Sequence, residues 1–157
     1  MTGGSYPQNG RIVKAYLDTN VLVAASVQGH PQHVQAFDLV EKVKQGTLRG
    51  VISTHGSAEY YSVLTRASFT PRIHPADAGR LLEENILPYF ELVALSADDY
   101  KAVLLSGAKG GLAGGVIFDA LHLHCAQKAE CDRIYTFNLR DFRALAARDW
   151  EDKITAP

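Results

Sequence analysis

The sequence predicts an α/β fold, a three-layer sandwich with a mostly parallel central sheet and helices on both faces. Short apolar, β-leaning runs alternate with longer segments whose apolar residues recur at helical spacing, and no two runs meet across a hairpin turn. The length of 157 residues fits one domain, enough to bury about 70% of the unfolded surface.

Residues 1–10, rich in Gly, Ser, Pro and Asn, read as a flexible arm, so that 11–157 forms the single domain. The run 12–17 is the first strand, stopped by the helix cap Asp18-Thr19-Asn20. Residues 21–27 make a short helix broken by Gly29 and Pro31, and 32–45 a second one closed by Gly46. A second strand at 48–53 leads to a helix at 57–66. Pro71 and Pro75 then punctuate the chain before a helix at 76–87, ended by Pro88. The third strand is 90–95. Ser96 followed by Asp99 is a capping-box start for a helix at 97–106. The glycine-rich stretch 107–115 reads as a loop, followed by a helix at 116–129, a fourth strand at 133–136 and a last helix at 139–147.

Composition excludes several classes. With 46% hydrophobic and 21% charged residues the chain is neither disordered nor membrane-like. No apolar run approaches a membrane span, and the opening residues lack the basic flank and apolar core of a signal peptide, so a cytoplasmic location is expected. Two cysteines, Cys125 and Cys131, suit neither a disulfide framework nor a zinc set and read as reduced thiols. The formal net charge of -1 provides no global attraction for nucleic acid, so any RNA contact needs local cations or metal ions.

In open parallel sheets ligands bind beyond the carboxyl ends of the strands. Asp18, Glu59, Asp119, Asn138 and Asp141 all fall on that edge or one turn into the following helix. Taken singly, Asp18 can be a helix cap, Glu59 a surface acid favoured by the helix dipole, and Asp141 a cap for the last helix. Asp119, flanked by Ile117, Phe118, Ala120 and Leu121, is harder to place without a partner. Clustered carboxylates repel by roughly 4 kcal/mol per pair at 4 Å for an effective dielectric near 20, so protonation or a cation must relieve them. Oxygen-only donors favour Mg²⁺ or Mn²⁺, ions that serve phosphoryl transfer. The glycine loop lacks the GxxxxGK[ST] spacing of a phosphate cradle, and Asn20 removes the second acid of a DxD phosphatase.

Four motifs, in order, complete the reading: Tyr16-Leu17-Asp18-Thr19-Asn20, Ser57-Ala58-Glu59-Tyr60-Tyr61, Gly114 to His122 with Asp119 at its centre, and Thr136 to Phe142. On these the chain, over about 13–154, resembles a PIN domain and is most similar to the VapC-type ribonuclease toxins of toxin–antitoxin pairs. That resemblance implies metal-dependent cleavage of single-stranded RNA, with Asp18, Glu59 and Asp119 matching the metal-binding acids. At the fourth position many members carry Asp where this chain has Asn138, and Asp141 follows three residues on, so either can complete the Mg²⁺ or Mn²⁺ site. The resemblance also implies a cognate antitoxin covering the acidic site and a homodimer. Arg66, Arg72, Lys109, Arg140 and Arg143 are the candidate RNA contacts. His122, one turn from Asp119, reads either as a contact to the site's acids or to RNA or as a histidine on a polar helix face, and Tyr60, Tyr61, Val63 and Leu64 as core or interface. The competing reading is a catalytically silent PIN-like scaffold that binds RNA or a protein.

Overall fold

The computed structural model describes residues 10–157, so the expected arm at 1–10 lies outside the described residues except for Gly10. Five strands, β1 (Lys14–Leu17), β2 (Arg49–Ser53), β3 (Phe90–Val93), β4 (Arg133–Tyr135) and β5 (Ile154–Thr155), form one sheet in the order β3-β2-β1-β4-β5. Every pairing is parallel, with Ala15 opposite both Gly50 and Arg133. The fifth strand was not expected, because two residues carry no alternation for a pattern to detect.

The helices are α1 (Thr19–Ser26), α2 (His33–Lys44), α3 (Thr54–Arg66), α4 (Pro75–Leu81), α5 (Ala97–Lys109), α6 (Val116–Lys128), α7 (Leu139–Leu145) and α8 (Arg148–Glu151). Alternation along the strands divides the core. Ala15, Leu17 and Ile52 face one way, against α1, α2 and α3, while Tyr16, Val51 and Ile134 face α6 and α7. Those two apolar faces are why helices cover both sides of the sheet. Among the described residues no helix is long and apolar enough to cross a membrane.

Several boundaries differ from expectation. Helix α3 begins at Thr54 rather than 57, because Ser53 Oγ accepts the Gly56 N–H at 2.8 Å and caps it earlier. Helix α4 passes at Leu82–Ile86 into a π-helical turn, closed by Leu87 N–H on the Leu82 carbonyl. The expected loop 107–115 is shorter, since α5 runs to Lys109. Gly107 is helical and buried: a Cβ there would stand 2.7 Å from Ile117 Cδ1, so glycine lets α5 approach α6. The last helix is two, α7 and α8. The capping box of Ser96 and Asp99 is present as expected.

Candidate active site

Sheet order makes β1 the point from which the chain winds first toward β2 and β3, then back to β4 and β5 on the other side. At such a switch point the loops beyond the strands diverge and leave a crevice. A cavity of about 420 Å³ lies there, lined by Asp18, Thr19, Asn20, Glu59, Asp119, His122 and Asn138 on its polar side.

Asp18 ends β1 and caps α1: Oδ1 accepts the Thr19 N–H at 2.8 Å and Oδ2 accepts the Thr136 hydroxyl at 2.8 Å. It is only 5% exposed, and burial pushes its pKa up while nearby His122 opposes the shift. Thr136, immediately after β4, also accepts the Asn138 N–H, and Asn20 Oδ1 accepts the Phe137 N–H. The β4–α7 connection is thereby tied to the start of α1.

Glu59, in the second turn of α3, has one crowded oxygen. Its Oε1 accepts from Thr19 Oγ1 at 3.3 Å and lies 2.6 Å from His122 Nε2 and 3.4 Å from His55 Nε2. Among the described residues no hydrogen bond reaches Oε2. Burial raises the Glu59 pKa, but its bonds and charge contacts with His122 and His55 outweigh this and hold it below the ordinary value.

His122 corrects the expectation of a polar helix face. It is 2% exposed, with Nδ1 2.5 Å from the Tyr16 hydroxyl, which in turn donates to Ser53 Oγ at 3.0 Å. Desolvation alone would lower its pKa; Glu59 and Asp18 reverse the sign and raise it. In the charged state both ring nitrogens donate, which suits Tyr16 on one side and Glu59 on the other. Gly56 packs close by: a Cβ there would stand 3.0 Å from Ser53 Oγ and in ordinary contact with His122 Cε1. The missed signal was the unbroken apolar neighbourhood, since Leu121, Leu123, Cys125 and Ala126 are all buried and α6 has no solvent stripe at this level.

Asp119 opens α6, where Asn138 Nδ2 donates to its Oδ2 at 3.2 Å; among the described residues Oδ1 accepts no hydrogen bond. Burial and then the charge of Asp18 push its pKa up to about 6. Asp141 does not line the cavity. It is exposed in the first turn of α7, and its charge acts on Asp119 from outside. The expected RNA contacts Arg66, Arg72, Lys109, Arg140 and Arg143 are all exposed, and Arg143 also donates to the Ile154 carbonyl at 3.0 Å. Tyr60 and Leu64 are core residues, and Tyr61 is exposed.

The donor set fits a hard divalent cation in type and charge. Three carboxylates line the cavity beside His122, among the described residues one oxygen each of Glu59 and Asp119 accepts no hydrogen bond, and burial together with the charge of Asp18 lifts Asp119. Among the described residues no three such side chains already surround one point at ligand distance, so holding an ion requires side-chain adjustment.

A parallel sheet wound from a central strand, with acids gathered at its switch point, defines an α/β protein with a hydrolase-like crevice. The chain belongs to the PIN domain family, which it matches over residues 15–148. It is 32% identical to Ribonuclease VapC27 of Mycobacterium tuberculosis over 105 residues, 67% of this chain and 71% of that protein. Its fold is shared with VapC20 of Mycobacterium tuberculosis, a sarcin-ricin loop cleaving toxin, at a TM-score of 0.63 and 17% identity over 83% of this chain and 93% of that one. FitAcB from Neisseria gonorrhoeae aligns at 0.63, with 18% identity over 91% of this chain and 97% of that one. VapBC2 from Rickettsia felis, bound to a promoter DNA fragment, aligns at 0.61, with 18% identity over 92% and 99% of the two chains.

Proposed function

We propose that this chain is a Mg²⁺- or Mn²⁺-dependent endoribonuclease, a toxin acting in the cytoplasm and restrained by a cognate antitoxin. The observation that carries this reading is the convergence of Asp18, Glu59 and Asp119 on one cavity at the sheet's switch point. Its resemblance to a relative named a ribonuclease supports the substrate class.

A bound divalent cation supplies Lewis-acid charge to a phosphodiester and lowers the pKa of water. Asp18, Glu59 and Asp119 are the residues that would hold it. Asp18 is pinned by Thr19 and Thr136, which keeps one acid in place while substrate enters. His122 orients Glu59 through Oε1 and leaves Oε2 to face the cavity. Asn138 does the same for Asp119 by holding Oδ2. Hydrolysis then adds the oxygen of water to phosphorus, breaks one P–O ester bond, and gives the leaving oxygen a proton. Arg66, Arg72, Lys109 and Arg140 are the proposed phosphate contacts, exposed on or beside the elements that carry the acids.

Asp119→Asn is the direct test. The variant keeps the shape and the Asn138 contact but loses charge, so cleavage of RNA in Mn²⁺ should fall at least a hundredfold while the thermal melt without metal is no lower than the parent's. Retained turnover at saturating Mn²⁺ contradicts the reading. A homodimer belongs to the same proposal. Leu104 and Leu105 stand 48% and 66% exposed on α5, an apolar pair that a second copy would cover. Light scattering at micromolar concentration should return twice the chain mass; a monomer removes the dimer.

A further inference from the structure

Beyond the acids, the same cavity continues into a wall that the proposed chemistry leaves unused. On α1, Val23 lies four residues after Thr19; on α3, Val63 lies four residues after Glu59. Residues four apart share a helix face, so each helix presents a polar turn and then an apolar turn to the same space, about 6 Å further along. Phe69, half-buried after α3, and His30, in the turn between α1 and α2, line this second part. The His30 ring is held in place: its Nδ1 accepts the Gln32 N–H at 3.1 Å, and its backbone N–H and carbonyl are bonded to Val27 and His33. With Nδ1 accepting, the ring proton sits on Nε2, which makes no hydrogen bond among the described residues.

We infer that His30, Phe69, Val23 and Val63 form a seat for one nucleobase beside the acidic site. This rests on the ribonuclease reading and assigns it a specificity subsite. A ribose spans the step from an acidic turn to an apolar one, placing a phosphate at the carboxylates and its base against the wall. The ring face of Phe69 suits stacking, and His30 Nε2–H suits a carbonyl or ring-nitrogen acceptor on the base edge. Such contacts are how single-stranded RNA is read. The absence of a cation on this wall disfavours a phosphate there, and a fixed donor among apolar groups matches a flat ring with a polar rim.

The test measures binding of the four nucleoside 5′-monophosphates and of ribose 5-phosphate, each with Mg²⁺, by titration calorimetry. It is paired with cleavage of oligoribonucleotides carrying a single abasic position at each site around the cut. The parent should bind at least one nucleotide about tenfold more tightly than ribose 5-phosphate. Phe69→Leu, which keeps the apolar packing and removes the ring, and His30→Ala should each abolish that preference. In cleavage, one abasic position should raise KM for the parent and not for Phe69→Leu. A preference for nucleotide that persists unchanged in both variants overturns the seat, as does equal binding of ribose 5-phosphate. Base-dependent binding lost in Phe69→Leu, in a protein that cuts no RNA, upholds the seat and refutes only the ribonuclease reading.

Discussion

Asn138 stands directly against one of the cavity's acids. Its amide holds Asp119 Oδ2, a contact in which a donor faces a carboxylate. Asn138→Asp replaces that donor with a second negative charge, directly opposite an acid already pushed up to about 6. The variant should melt lower than the parent without metal and bind Mn²⁺ more tightly, with activity preserved. Calorimetric titration of Mn²⁺ and a melt in chelator check both halves. Asp141→Asn removes a charge that reaches Asp119 only from outside the cavity, so its effect on Mn²⁺ affinity should be the smaller of the two. A larger effect of Asp141→Asn would transfer the fourth position to Asp141.

At the scale of elements, α7 joins the site to the sheet edge. Asn138 precedes it with its side chain turned to Asp119 rather than to the helix end, Phe142 is fully buried beneath it, and Arg143 reaches back to the Ile154 carbonyl of β5. Arg140 and Arg143 are three residues apart, yet their surroundings separate their roles. Arg143→Ala should lower stability by about 1–2 kcal/mol through a lost charge-assisted bond, read as a shift in urea midpoint. Arg140→Ala should leave that midpoint in place and reduce the slope of log K against log salt for RNA by about 0.7, one phosphate contact on a single strand. An unchanged slope would show that Arg140 touches no phosphate. Helix α6 shows why burial on two sides defeats pattern reading: its buried residues run almost continuously from Leu121 to Ala126, so the apolar run around His122, with no polar face for contrast, was the one sign of its depth.

For the whole molecule, the buried charges set a pH dependence. His122 has its pKa raised above 6.5, so its contribution is complete below that value and is lost as pH climbs through the folded value. Asp18 and Asp119 are raised carboxyls, which bind more protons folded than unfolded, so each also costs stability as pH rises. Glu59 is lowered; its contribution is present above 4.5 and lost on acidification through its folded value. The metal-free chain should therefore melt higher at about pH 5.5 than at about pH 8. Mn²⁺ should raise the melting temperature more at the higher pH, where protons no longer compete for Asp119. Equal shifts at both pH values would mean that the ion binds elsewhere.

The parallel α/β architecture was legible in the sequence because strand runs, helix periodicity and caps are local, and Asp18 and Ser96 act within three residues of themselves. The place of Asp18 beyond a strand end was legible for the same reason, since it follows β1 directly. What tertiary structure alone decided is how distant side chains meet. Tyr16, Glu59 and His122 come from a strand and two helices separated by up to 106 residues, and a hydrogen-bonded chain among them has no sequence spacing. The two-residue β5 exists through its pairing with β4, and Asp141, in the first turn of α7, lies outside the cavity that Asn138 lines. Local preferences can be read along the chain; burial, and with it the sign of each pKa shift, depends on what the fold brings alongside.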